Sequence, residues 1–162
     1  MSYILAVVCS FLILLLDQLT KFLISNNFTL GEGTDFIKGF IDIVYIHNTG
    51  GAWGILSGNS WGFLSLTVIL MLILITLLLK IGRKSKLLFW AVSLVISGGV
   101  GNLIDRIFRG GNLVDFLHLE FFPTFPVFNV ADIAVCTGAG LLILYFVLDT
   151  IADYKNKKIE NE

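Results

Sequence analysis

Two aspartates in the second half of the chain stand where a carboxylate is hard to explain by solubility alone. Asp115 lies in Leu-Val-Asp-Phe, within an otherwise apolar stretch, and Asp132 lies in Phe-Asn-Val-Ala-Asp, at the mouth of a long apolar run. Neither has a basic neighbour at helical spacing. If Asn129 caps a helix, Asp132 falls in its first turn, where the helix dipole favours a carboxylate by about 0.3–1 kcal/mol. That accounts for Asp132 alone and leaves Asp115 unexplained. The 17-residue separation gives a loop long enough to bring the two face to face. Two carboxylates in one low-dielectric site share a proton, and their pKa values split. They titrate as a unit. One takes a proton from water while the other donates to a carbonyl oxygen. This is the chemistry of an aspartic peptidase, which calls for no metal or other cofactor and forms no covalent intermediate.

Other polar residues sit beside apolar runs, and each has a structural reading next to a functional one. Asp17 and Lys21 are four apart, which fits an intrahelical ion pair with Lys21 snorkelling outward. Asn102, Asp105 and Arg106 close another run and share one helical face. Alone they fit a polar cluster that locks a bundle, and Gly98, Gly99 and Gly101 before them allow close helix approach. His47 and His118 lack metal-ligand spacing, no serine has a visible base, and no glycine-rich stretch has the phosphate-loop pattern. Cys9 and Cys136 lie in apolar runs and read as small packed thiols. Asn27-Phe-Thr29 matches a glycosylation sequon, a weak signal here.

These residues must be positioned by membrane helices. Of 162 residues, 56% are hydrophobic and 14% charged, with net charge −1 and mean hydropathy +0.89. An average soluble domain carries about 25% charged residues. The near-neutral balance leaves no basic footprint for nucleic acid. Four apolar blocks predict four transmembrane helices at about 3–24, 60–80, 87–105 and 129–150 in a single domain spanning 1–162. The first block reads as a retained helix rather than a cleaved signal peptide, because no Lys or Arg precedes it and no small-residue cleavage site follows. Lys80, Arg83, Lys84 and Lys86 lie between the second and third blocks, and Lys155, Lys157 and Lys158 lie in the C-terminal tail. The positive-inside rule therefore places that link and both termini in the cytoplasm. Segments of about 26–59 and 106–128 then lie outside. The first has strand character from Phe40 to Ile46, between glycine turns, and predicts a small β-sheet on the outer membrane face between helices one and two. The aromatic and proline run Phe121 to Phe128 suits the headgroup level.

From the residues alone, two rivals to a peptidase stay open. A small proton-coupled membrane transporter also uses intramembrane carboxylates, but it predicts polar residues near the midplane. Here they gather at the outer end, and the second helix has only Ser65, Thr67 and Thr76 inside it. A structural membrane subunit predicts that replacing both Asp115 and Asp132 is silent.

Five separated motifs narrow the choice. They are Asp17-Gln-Leu-Thr-Lys21, Asn48-Thr-Gly-Gly-Ala-Trp-Gly54, Gly101-Asn-Leu-Ile-Asp-Arg106, Val114-Asp-Phe116 and Phe128-Asn-Val-Ala-Asp132. In this order, over almost the whole chain, the sequence resembles the bacterial lipoprotein signal peptidases (signal peptidase II). The resemblance implies an all-α membrane fold of four helices with the small outer sheet. It implies that Asp115 and Asp132 form the catalytic dyad, and that Asn48, Gly50, Asn102, Arg106 and Asn129 line or support the site. Asp17, Lys21 and Asp105 then serve structure. The implied substrate is a prolipoprotein carrying diacylglycerol on its cysteine, cut just before that cysteine in the bacterial cytoplasmic membrane, near the outer face. The family is inhibited by the cyclic peptide globomycin. Membrane lipid is the other expected partner, and nothing demands more than a monomer.

Overall fold

The structure is a computed structural model that describes residues 2–51 and 59–160. Its elements are α1 (Ser2–Asn27), β1 (Gly33–Ile37), β2 (Ile41–Asn48), α2 (Ser60–Ile81), a single 3-10 turn (Gly82–Lys84), α3 (Lys86–Phe108), β3 (Leu113–Leu119) and α4 (Val130–Glu160). The Ala52 to Gly54 end of the second motif lies outside the described residues, as does the rest of the first outer segment up to Gly58.

The helices form because their apolar runs contain no proline and are closed by short polar caps. The Asn59 side chain accepts from Gly62 N at the start of α2, and Ser85 occupies the same position before α3. Three helices, α1, α3 and α4, are long and apolar enough to cross a membrane, and α2 carries the apolar stretch Leu64–Lys80. Large side chains such as Phe11, Phe22, Leu72 and Phe146 are exposed on their outer faces. That suits lipid, where a helix satisfies its own backbone. α3 is the hub. Half of its most apolar window is buried, against 11% for α1 and 17% for α4, and it packs on all three other helices. Glycines permit this. A Cβ at Gly98 would overlap the Ala131 carbonyl oxygen of α4, and one at Gly101 would lie 2.6 Å from the Asp17 carboxylate of α1. α4 runs on to Glu160, past the expected end near 150. Residues 151–160 contain no glycine or proline, so nothing stops the helix when the apolar run does. Cys136 is exposed on α4 rather than packed, and Cys9 is half-buried.

The sheet is three-stranded and antiparallel in the order β1-β2-β3. The sequence predicts strands in the first outer segment only. The third strand comes instead from the segment between α3 and α4, and it carries Asp115. An acid in the middle of a short apolar run hides its strand character. Ile24 of α1, Tyr45 of β2, and Val114 and Phe116 of β3 form a buried cluster, with Val130 of α4 packed against it. Val114 and Phe116 enter that cluster from either side of Asp115. Strand alternation then turns Asp115 to the opposite face. The register slips between Ile43 and Ile46, where two residues of β2 oppose one of β3. Past the slip, Ile46 pairs with Asp115 and Asn48 with Leu113.

Candidate active site

Asp115 and Asp132 reach the same place from different elements, and Asn129 joins them. The Asn129 amide nitrogen donates to Asp115 Oδ1 at 2.6 Å, and its backbone N–H donates to Asp132 Oδ2 at 3.1 Å. The Asp132 backbone N–H returns a bond to Asn129 Oδ1 at 2.9 Å. This reciprocal pair is a capping box at the start of α4, built from Asn and Asp. Asn48, at the end of β2, donates to Asp115 Oδ2 at 2.9 Å. Asn102 of α3 donates to Asp132 Oδ1 at 2.8 Å. Asp115 is 1% exposed. Burial first, and the neighbouring Asp132 charge second, push its carboxyl up to about 7, although the Asn48 and Asn129 bonds pull the other way.

A second, largely buried layer holds these groups. Lys21 Nζ lies 2.9 Å from Asp17 Oδ2, 3.3 Å from Asp105 Oδ2 and 2.9 Å from Asn102 Oδ1. The i,i+4 pair with Asp17 is present, but Lys21 does not snorkel. It is fully buried because its further partners lie on α3. Asp17 Oδ1 also accepts from the Ala131 N–H of α4 at 2.9 Å, which ties α1 to the residue before Asp132. Asp105 accepts from the Val114 N–H at 3.1 Å and from Arg109 Nε at 3.2 Å, which ties α3 to the residue before Asp115. Arg106 donates to the carbonyls of Gly50 and Gly111, and the Gly50 N–H donates to Asn48 Oδ1 at 2.9 Å. Arg106 thus holds the turn that aims Asn48.

The structure therefore gathers Asp17, Lys21, Asn48, Gly50, Asn102, Asp105, Arg106, Asp115, Asn129 and Asp132 into one connected cluster. It adds Gln18, whose amide donates to Asp17 Oδ2 and to the Gly101 carbonyl, and Gly111, whose positive φ of 90° presents its carbonyl to Arg106. Gln18 sits within the first motif, so that motif was the signal for it. The two histidines stay apart from the cluster's bonds. His47 pairs with the Tyr45 hydroxyl at 2.8 Å, and His118 with Asp42 at 3.5 Å.

Residues 9–148 match the family described as Signal peptidase (SPase) II. The chain is 42% identical over 143 residues to the lipoprotein signal peptidase of Bacillus pumilus (strain SAFR-032), covering 88% of this chain and 92% of that one. It is 40% identical over 146 residues to the lipoprotein signal peptidase of Enterococcus faecalis (strain ATCC 700802 / V583), covering 90% and 89%. Among solved structures it is similar to a bacterial membrane enzyme determined in meso at 2.3 Å resolution. There the TM-score is 0.82 at 34% identity, with 91% of this chain and 88% of that chain covered. A second bacterial membrane enzyme, determined in meso at 1.9 Å, gives a TM-score of 0.79 at 32% identity, with coverage of 87% and 91%. The apolar helices and matches of this extent define a bacterial membrane protease. The chain belongs to the signal peptidase II family.

Proposed function

We propose that this membrane protease is an aspartic endopeptidase that removes the signal peptide from diacylglyceryl-modified prolipoproteins, cutting just before the lipidated cysteine. The observation that carries the reading is the convergence of Asp115 and Asp132 on Asn129, in a buried cluster of otherwise paired charges. One carboxylate takes a proton from water, and the other protonates the scissile carbonyl oxygen. Asn48, Gly50, Asn102, Arg106 and Asn129 hold the dyad, and the sheet cradles substrate against the membrane. Both termini lie in the cytoplasm and the dyad lies near the outer face, a reading supported by the positive-inside rule through the basic link and tail. The enzyme works as a monomer. The transporter alternative has no support from the family match.

The depth of the dyad matches that of the substrate bond. Lifting a lipid chain into water costs about 0.8 kcal/mol for each CH₂. A site at the membrane surface leaves the lipid where it is and uses it for recognition. The test is a cleavage assay in liposomes with a diacylglyceryl-modified prolipoprotein and its unmodified precursor. The modified form is expected to be cut and the precursor left intact. Equal turnover of both would refute lipid recognition, and no turnover of either would refute the peptidase reading.

The dyad also fixes a pH dependence. Asp115 holds its proton below about 7 and loses it above. Once both carboxylates are charged, neither has a proton for the carbonyl oxygen. Cleavage is therefore expected to fall as pH rises through about 7. The apparent value belongs to the pair. Initial rates across neutral pH, with helical content checked at each point, measure it. A profile that stays flat through neutrality and into the alkaline range is the contrary result.

A further inference from the structure

Each of the three asparagines around the dyad has its side-chain oxygen taken by a group that can only donate. Asn48 Oδ1 accepts the Gly50 N–H, Asn129 Oδ1 accepts the Asp132 N–H, and Asn102 Oδ1 accepts Lys21 Nζ. An amide so held has one orientation, and its NH₂ end must face the other way. All three NH₂ ends face the dyad. Two of the three are oriented by neutral backbone groups. The third, on Asp132, is oriented by a buried ammonium. Asp132 also sits in the first turn of α4 and accepts the capping N–H of Asn129.

The charges of the cluster balance in the same sense. From α1 come Asp17 and Lys21, from α3 Asp105 and Arg106, and Arg109 follows α3 at the half-exposed edge. Three cations against two carboxylates leave one positive charge for the dyad, which answers one ionised aspartate and not two. The positive helix end and the Lys21-backed amide both favour that charge on Asp132.

We propose that Lys21 is a positioning residue for cleavage: by fixing Asn102 with its NH₂ toward Asp132, it places the resting negative charge of the dyad on Asp132 and the proton on Asp115. Asp132 is then the base and Asp115 the acid. Asp132 takes a proton from water as the water oxygen bonds to the scissile carbon, and the Asp115 proton passes to the carbonyl oxygen. On collapse, the proton held by Asp132 goes to the leaving amine as the C–N bond breaks. A hydroxyl proton of the intermediate returns to Asp115. Lys21 touches no reacting atom.

This inference rests on the dyad reading above, and its test separates the two. The pH profile of kcat and KM is measured in liposomes on the lipidated substrate for wild type, Lys21→Met and Asn102→Asp. Asn102→Asp keeps the shape and the bond to Lys21 but turns a donor on Asp132 into a like charge. Both variants are expected to move the acid limb of the kcat profile up by about one pH unit. The loss is then about tenfold on that limb and shrinks toward higher pH, with KM unchanged. A residue that only braces the bundle would lower kcat by one factor at every pH, and that result overturns the proposal. Should Lys21→Met fail to fold, Lys21→Gln, which keeps a donor for Asp17 without the charge, takes its place. Inactive Asp115→Asn and Asp132→Asn enzymes beside unshifted Lys21 and Asn102 variants would refute the wiring and leave the dyad. Active dyad variants would refute both.

Discussion

Replacing Asp115 by Asn, or Asp132 by Asn, is expected to lower cleavage of the lipidated substrate by on the order of 10³-fold while the helices stay folded. Each amide keeps the size of the carboxyl it replaces but neither takes a proton from water nor gives one to a carbonyl oxygen. Because the two act as a unit, the double variant should be little worse than either single one. Stability points the same way. Burial raises Asp115, so its charged form weighs against the fold as pH rises from the ordinary carboxylate range toward about 7. The neutral amide in Asp115→Asn carries no such cost at any pH. Part of that relief is offset, because both Asp115 oxygens accept amide donors and the new NH₂ must face one of them. Circular dichroism and melting in detergent should therefore stay close to wild type. A folded variant that keeps near-normal turnover would remove that aspartate from the chemistry.

Asp115, Asp132, Asp17, Lys21, Asn102, Asp105 and Arg106 stand out in the sequence because a charged or polar group in an apolar run is costly and hence conspicuous. Asn48, Gly50 and Asn129 stand out as site residues only through the family motifs that contain them. How they connect was hidden. The helical spacing of Asp17 and Lys21 is local and readable, but Lys21 also bonds Asn102, which is 81 residues away. A basic residue near a helix end reads equally well as snorkelling or buried until the neighbouring helix is known. The same holds for β3. Its run Leu-Val-Asp-Phe-Leu-His-Leu does not alternate, and an edge strand joining a sheet that begins at Gly33, 80 residues earlier, leaves no local mark. The fold class needed less, since apolar blocks and basic links act over single elements.

The buried polar layer explains why a bundle this apolar can hold two carboxylates in register. Each dyad residue follows directly after one whose backbone N–H is held by a second-layer acid. Asp17 holds Ala131 before Asp132, and Asp105 holds Val114 before Asp115. Lys21 then ties the two acids together. The separation of the dyad is thus set by one lysine and two carboxylates on α1 and α3, together with Asn129 just before α4, which bonds both aspartates.

That arrangement makes the α3–α4 contact a sensitive place in the bundle away from the dyad itself. Gly98→Ala is expected to lower kcat by on the order of 10²-fold, because a displacement near 1 Å at the reacting groups costs that much. Its Cβ would overlap the Ala131 carbonyl oxygen and lie 2.8 Å from Val135 Cγ2, so the first turn of α4 must move outward with Asp132 on it. Gly138→Ala is the matched control. It meets the Ala91 carbonyl oxygen at 2.6 Å and Val95 Cγ2 at 2.7 Å across the same two helices, about two turns further along α4 from Ala131. Overpacking of this kind costs about 1–3 kcal/mol at either position. Both variants should therefore melt earlier than wild type, by similar amounts. Only Gly98→Ala should lose turnover out of proportion to its stability, with KM nearly unchanged. Equal loss of kcat in the two would mean that the helices separate as a whole, and that the placement of Asp132 does not depend on its own turn.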